Sequence, residues 1–293
     1  MALSLDRRTE LQIGGTWTTV TGDVRESEPI RIERGTRGTA STVTPSKLTL
    51  KLNNRHGKFS PRNPMSPYYG RIGRNTPIRV SVRGPESYLQ LAGTTTSYAR
   101  TPDAAALDIT GDLDLRVEAT VDWSSSASQA LLGKWISATN QRSYLLRLLE
   151  GYLILNWSTT GGDSLFAQAF LPPGLPRRAV MRATLDVNNG SGGFTAMFYW
   201  ATSMAGPWTQ IGDPVGATGV TSIYAGTAPL EVAPIAATGV TPVSGRVHRA
   251  EVRSGIGGTV VAAPDVRALA EGATTWTDSA GRAWTLGAGA AVS

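Results

Sequence analysis

The chain has 293 residues, with 28 Lys and Arg against 22 Asp and Glu, two His and no Cys. Without Cys there are no disulfides or thiolate metal sites, and His56 and His248 stand too far apart in sequence to suggest a His-based metal site or a catalytic triad. The length suits about two domains. The 33 Gly and the scarcity of apolar residues at helical spacing point to short strands joined by turns, and no run approaches the roughly 20 apolar residues of a membrane span.

Charge is unevenly placed. Residues 1–83 carry 15 Lys and Arg against 6 Asp and Glu, whereas residues 84–293 carry 13 against 16. A basic block of this kind suits nucleic acid, membrane headgroups or an acidic protein surface. The first thirty residues lack the continuous apolar stretch of a secretion signal, so a protein made in the cytoplasm and not inserted in a membrane is expected.

In chain order, TELQIGG and TWTTVTG alternate as two strands about a Gly-Gly turn, RESEPIRIERG offers a third and PSKLTLKLNN a fourth. In the last, Leu48, Leu50 and Leu52 point one way, and Lys47, Thr49 and Lys51 the other. From Asn53 to Asn75 there are too many Pro and turn residues for a ladder, and TPIRVSV then resumes as a strand. The aromatics Phe59, Tyr68 and Tyr69 predict that this long loop is ordered and packs on something. Gly84-Pro85 marks a boundary, giving predicted domains 1–83, 84–262 and a C-terminal hairpin extension over 263–293.

Beyond it, GDLDLRVEATVDW places Leu113, Leu115, Val117, Ala119 and Val121 on one face, with Asp112, Asp114, Arg116, Glu118, Thr120 and Asp122 on the other. Two carboxylates on alternate strand residues stand about 7 Å apart, within the range of glycosidase pairs, but with Arg116 interposed the row reads as a solvated face. SYLLRLLEGYLILNWS predicts a hairpin with a two-residue Glu150-Gly151 turn, setting Leu149 opposite Tyr152, Arg147 opposite Ile154 and Leu145 opposite Asn156. One face is then apolar core: Tyr144, Leu146, Leu148, Leu153, Leu155 and Trp157. The other carries Arg147, Tyr152 and Asn156 among aliphatics, and these three are the candidate ligand-binding residues. RAVMRATLDV and GFTAMFYWATS form a further pair, and GPWTQIGDPV and GRVHRAEVRSG two more strands. Trp123, Trp135, Trp157, Trp200 and Trp208 read as core, and Asp103 and Asp163 as turn residues. TTWTDSAGRAWTL is a hairpin with Trp276 and Trp284 flanking its turn.

NNRHGKFSPRNPMSPYYGRIGRNTPIRV resembles the signature loop near the N-terminus of minor tail and baseplate proteins of tailed phages, especially those infecting actinobacteria. The matching positions are Asn54, Gly57, Phe59, Ser60, Pro61, Asn63, Pro64, Pro67, Tyr68, Tyr69, Ile72, Pro77, Ile78, Arg79 and Val80. The resemblance covers about the first 83 residues. It implies a tail-tip virion protein, made in the host cytoplasm and anchored among other tail proteins in a three- or six-fold homo-oligomeric ring. Its assembly loop would contact neighbours through Phe59, Pro61, Asn63, Pro64, Tyr68, Tyr69, Arg71, Arg74 and Arg79. The basic block then faces protein, since Arg71, Arg74 and Arg79 lack the stacking platform of a nucleic-acid binder.

Residues 86–262 resemble the concanavalin A-like, laminin G-type jelly roll. The opening YLQL, the stretch LDITGDLDLRV, then LLGKW, YLLRL, GYLILNW, TLDVNNG and the closing RVHRAEV carry that likeness. It implies an all-β chain: a small N-terminal β module followed by an antiparallel sandwich. Members of this fold class bind glycan, sometimes with Ca²⁺, or protein, or are structural. No D-x-D-x-D-G calcium loop and no E-x-D-x-E hydrolase strand is found, so neither cofactor nor catalysis is expected. The expected role is a tail protein whose jelly roll meets a host cell-wall glycan. The alternatives are a free lectin-like module and a cell-wall glycan hydrolase.

Overall fold

The computed structural model describes residues 6–25, 28–33, 47–83, 86–234, 237 and 239–293. The chain divides into two compact units, Met1–Glu86 and Ser87–Ser293. The predicted boundary at Gly84-Pro85 and the residues Pro45 and Ser46 of the fourth expected strand lie outside the described residues.

The first unit contains β1 (Asp6–Ile13), β2 (Thr16–Thr19), β3 (Arg31–Glu33), β4 (Lys47–Thr49) and β5 (Ile78–Arg83). β2, β1 and β5 form an antiparallel sheet, and β3 pairs with β4. Gly14 and Gly15 turn the first hairpin with left-handed φ of 57° and 86°. β4 is shorter than its alternation suggests, because Leu52 leaves the pairing and bridges to Val24. Leu11, Ile13 and Val20 form a small core, and Leu52, Phe59, Tyr68, Ile72 and Ile78 pack against it.

The loop between β4 and β5 is a run of linked turns. The N–H groups of Gly57, Ser60, Asn63, Ser66 and Tyr69 each donate to the carbonyl three residues back. Side chains lock the turns together. Asn54 Oδ1 accepts from the Phe59 N–H at 2.8 Å, and Asn63 Nδ2 donates to the Gly57 carbonyl at 3.2 Å. Gly57, at φ 69°, has no room for a Cβ, which would lie 2.6 Å from Asn63 Nδ2. Lys58 donates to Asp23 at 2.7 Å and its ammonium lies 5.3 Å from the Phe59 ring centre. Arg79 donates to Glu10 at 2.6 Å and stacks 4.3 Å from the Trp17 ring centre.

The second unit begins with β6 (Leu89–Ala92), β7 (Ala99–Thr101), β8 (Leu113–Thr120), β9 (Gln129–Ile136), β10 (Gln141–Leu149) and β11 (Tyr152–Trp157). Then come β12 (Leu165–Phe170), β13 (Arg178–Asp186), β14 (Gly193–Ala201), β15 (Thr209–Thr218), β16 (Leu230–Val232) and β17 (Thr241–Pro242). The last are β18 (Ser244–Ser254), β19 (Thr259–Ala262), β20 (Thr275–Thr277), β21 (Ala283–Leu286) and β22 (Ala290–Val292).

Among the described residues one sheet has nine strands, in the order β12-β11-β10-β9-β16-β7-β21-β20 with β17 beside β9. The other has eight, in the order β15-β14-β13-β8-β18-β6-β22 with β19 beside β18. The two form a jelly-roll sandwich around one continuous core that includes Leu115, Leu146, Leu155, Trp157, Met181, Phe198, Val252 and Trp284. The all-β class and the module-plus-sandwich order are those expected from the sequence. The C-terminal residues join both sheets: β20 and β21 extend the first and β22 pairs with β6 in the second. Trp276 and Trp284 stack at 6.0 Å across the terminal hairpin, and Asp278 accepts from the Trp284 indole at 2.9 Å.

The charged row of β8 is not solvated. Asp114, Arg116 and Glu118 are 0%, 8% and 4% exposed. Asp114 accepts forked bonds from both Arg116 and Arg182, and Glu118 from Arg178 at 2.8 Å and Arg249 at 2.6 Å. Trp208, expected in the core, is not there. It is half-exposed outside the core, with the Arg116 and Arg182 guanidinium carbons 5.3 and 5.4 Å from its ring centre. Asp103 is more than a turn residue, since it pairs at 2.8 Å with the buried Lys134, which Asp108 also holds at 2.8 Å.

Burial alone would raise the Asp114 carboxyl, but the hydrogen bonds and charges of Arg116 and Arg182 outweigh it and hold the group below the ordinary carboxylate value. Its stabilising contribution is therefore present above the unfolded-state value of about 3.9 and is lost as pH falls through the lower folded value. Asp114→Ala takes the forked carboxylate from Arg182 and leaves Arg116 with the more distant Glu251 at 3.8 Å, and should cost about 3 to 5 kcal/mol at pH 7. Denaturant unfolding would measure this, and the difference between variant and wild type should shrink below about pH 4.

Candidate functional site

The β10–β11 hairpin turns through Glu150 and Gly151, whose φ angles of 50° and 77° are those a two-residue hairpin turn needs. The register is the predicted one: Leu149 pairs with Tyr152, Arg147 with Ile154 and Leu145 with Asn156. β12 continues it, with Tyr152 opposite Phe170, Ile154 opposite Gln168 and Asn156 opposite Phe166. Residues directly opposite share a face. The outer face of this sheet thus carries three rows across β10, β11 and β12: Leu145, Asn156 and Phe166; Arg147, Ile154 and Gln168; Leu149, Tyr152 and Phe170.

Two of the three candidate ligand residues meet. Arg147 Nε donates to Asn156 Oδ1 at 2.9 Å and its Nη1 to Ser128 Oγ at 3.0 Å, while Asn156 Nδ2 donates to Ser164 Oγ at 3.3 Å. They line a cleft of about 280 Å³ whose floor is Trp135 and Leu145 and whose wall includes Arg142 and Val240. Trp135 belongs with Ala130, Leu145 and Ala237 in a small cluster separate from the main core. Gly133 allows this, because a Cβ there would lie 2.9 Å from Leu145 Cδ1. Arg142 reaches the carbonyl of Gly162 and the Trp135 indole donates to Ser137 Oγ at 3.2 Å. Burial pushes the Arg147 guanidinium below its ordinary value, and it stays charged at neutral pH.

Tyr152 stands apart from this pair. Its ring meets Phe170 edge-to-face at 5.0 Å, while Phe166 lies beyond Gln168 on β12, opposite Asn156; Phe166 and Phe170 are 59% and 61% exposed. Side chains of that size left open on a sheet face commonly mark a contact surface. Phe170 also borders a larger hollow of about 370 Å³, lined by Trp123, Pro172, Pro173 and Leu175, where the Ser124 amide and hydroxyl donate to the Asp122 carboxylate and hold it below its ordinary value. The sequence missed Ser128, Trp135, Arg142, Ser164, Phe166 and Phe170 as site residues. For Phe166 and Phe170 a signal existed: the alternation of LFAQAF places both opposite Ala167 and Ala169.

The loop that brings Ser164 into the cleft is held by Asp163, the predicted turn residue. Its carboxylate accepts from the amides of Thr159 and Thr160 and from the hydroxyls of Ser158, Thr159 and Thr160. Burial alone would raise its pKa, but these bonds hold it well below the carboxylate range. Among the described residues no three His, Asp or Glu side chains converge where a metal ion could sit.

The assembly-loop candidates fall into two groups. Phe59 and Tyr68 pack in the small core at 5.8 Å from one another, Asn63 and Arg79 make the internal bonds described above, and Arg71 gives its carbonyl to the Gly14 amide at 3.3 Å. Pro61, Pro64, Tyr69 and Arg74 face solvent, Tyr69 with 54% of its surface open.

No protein-family model matches the sequence, and no curated protein matches it. Among solved structures the chain is similar to domains LG4-5 of the mouse laminin α1 chain, at 13% identity and a TM-score of 0.41 over 67% of this chain. The match spans about half, 51%, of that laminin chain. It is also similar to the sialidase carbohydrate-binding module CBM40 of Ruminococcus gnavus, at 14% identity and a TM-score of 0.37 over 57% of this chain and 89% of that one. A Bacteroides ovatus protein proposed to bind carbohydrate matches at 11% identity and a TM-score of 0.46, over 74% of this chain and 68% of that one.

Asp163→Asn removes the charge from the loop bonds. The amides of Thr159 and Thr160 should exchange with deuterium at least about tenfold faster, the loss of roughly one charge-assisted hydrogen bond. Amide exchange followed by NMR checks this directly.

Proposed function

We propose that the sandwich binds glycan through the outer face of its nine-stranded sheet, as a binding protein and not an enzyme. The observation that carries this reading is the juxtaposition, on one sheet face, of a polar cleft with Arg147, Asn156 and Ser164 and of the aromatic rings that flank it, exposed Phe166 beside Asn156 and the Tyr152–Phe170 pair beyond Ile154 and Gln168. A sugar ring presents apolar C–H faces and a rim of hydroxyls. It needs exposed aromatic rings beside fixed donors and acceptors, and this face carries both.

The protein is further proposed to be a tail-tip virion component, made in the host cytoplasm. Its N-terminal module would join a three- or six-fold ring with other tail proteins, and its jelly roll would meet a host cell-wall glycan. Neither nucleic acid, membrane insertion nor a cofactor has a part in this reading. The phage-type loop motif supports it, together with the way the loop holds its own shape while Pro64, Met65 and Tyr69 face outward.

Phe166→Ala with Phe170→Ala should leave the melting temperature within a few degrees, since both rings are largely exposed. It should weaken retention on purified host cell wall about tenfold or more, given roughly 0.5 to 1.5 kcal/mol per aromatic contact. Unchanged retention would remove the sheet face from the reading. Tyr69→Ala should abolish ring formation or tail incorporation without altering unfolding, whereas Tyr68→Ala destabilises the module itself. A Tyr69→Ala protein that assembles normally would sink the anchoring role.

A further inference from the structure

Arginines on the sheet faces of this sandwich generally have a carboxylate. Arg116 and Arg182 share Asp114, Arg178 and Arg249 share Glu118, Arg253 meets Glu251, and Arg100 meets Glu231. Arg147 departs from that pattern. Across the strands it faces Ala130 and Ile154, and its hydrogen-bond partners Asn156 and Ser128 are neutral. The cleft it lines holds a second guanidinium, Arg142, and no acidic side chain among the described residues. The acid nearest in sequence to the cleft wall, Asp163, is spent on its own loop.

A half-buried cation without a counter-charge is costly, and a Met or Leu packed on Leu145 and Ile154 would avoid that cost. The bonds to Asn156 and Ser128 hold the guanidinium in one orientation, and its Nη2 group has no protein acceptor among the described residues. That arrangement is a fixed fork awaiting oxygens of negative charge.

We infer that the cleft selects an anionic sugar: a glycan residue bearing a carboxylate or a phosphate ester, whose oxygens pair with Arg147 while Asn156 and Ser164 meet its hydroxyls. This rests on the glycan-binding reading and adds the class of residue recognised. Arg142 supplies a second positive charge at the cleft wall, and the flanking aromatic rings take the neighbouring ring of the chain.

The test uses the full-length chain and isothermal titration with oligosaccharides bearing uronate, sialate or phosphate. Each is paired with its neutral counterpart, carboxyl-reduced or dephosphorylated, and inorganic phosphate and acetate are titrated alone. At least one acidic member should bind about tenfold or more tighter than its neutral partner, the gain from one charge-assisted hydrogen bond. Which member does so separates the carboxylate from the phosphate source. Arg147→Gln should erase that preference, and Arg147→Met should melt at or above the wild-type temperature without ligand, because the burden of the unpaired cation is gone. Neutral sugars bound as tightly as their acidic partners by the wild type would overturn the anionic selection and leave glycan binding standing. Inorganic phosphate or acetate bound as tightly as every acidic sugar, or no sugar bound at all, would overturn both. A melting temperature several degrees lower in Arg147→Met would make Arg147 a structural residue and overturn the inference.

Discussion

A two-residue turn governs what the nine-stranded sheet shows to solvent. With Glu150 and Gly151 both left-handed, the strands on either side can pair in one register, and side chains in a strand alternate faces with a period of two. A slip by one residue would turn Leu146, Leu148, Leu153 and Leu155 out to water and bring Arg147 and Asn156 into the core. The apolar cost of that exchange is large, so the register is strongly specified, and β12 inherits it through β11. The cleft and the aromatic rings that flank it are consequences of the same constraint that closes the core.

The outer face of the eight-stranded sheet and the Arg147 cleft of the nine-stranded one treat charge differently. On the eight-stranded sheet, carboxylates and guanidinium groups sit under Trp208 and the neighbouring turn in a nearly closed network, where every buried charge has a partner. Such a network holds strands β13, β8 and β18 in place and leaves little for a ligand to gain. On the nine-stranded sheet Arg147 is held, among the described residues, by neutral partners. Stability alone does not select that arrangement, and residues of this kind are where function is expected to be found.

The N-terminal loop illustrates how a motif can be structural and outward-facing at once. Asn54, Gly57, Asn63 and Ser66 spend their side chains or backbone freedom on holding successive turns together, and Phe59 and Tyr68 anchor them to the small core. Once the turns are fixed internally, prolines, Met65 and Tyr69 stand out on a backbone that has already lost its conformational entropy. A surface prepared in this way can bind a neighbour without bearing the cost of ordering at that moment.

The sequence by itself determined the all-β class, the alternating faces, the hairpin register and the apolar face of β10 and β11, because these follow from local periodicity and turn chemistry. Two of the three residues singled out on the opposite face, Arg147 and Asn156, do share a cleft, since register alone places them on adjacent strands. The tertiary structure decided the rest. Asp114 and Glu118 looked solvated in sequence, and only the arrival of Arg182, Arg178 and Arg249 from strands distant along the chain makes them a buried network. Tyr152 was grouped with Arg147 by face, but the Phe170 ring two strands' worth of sequence later draws it into a different patch. Ser128, Trp135 and Arg142 reach the cleft from the loop before β9, from β9 and from the start of β10, and no local pattern reports which side chains a fold brings together across such separations.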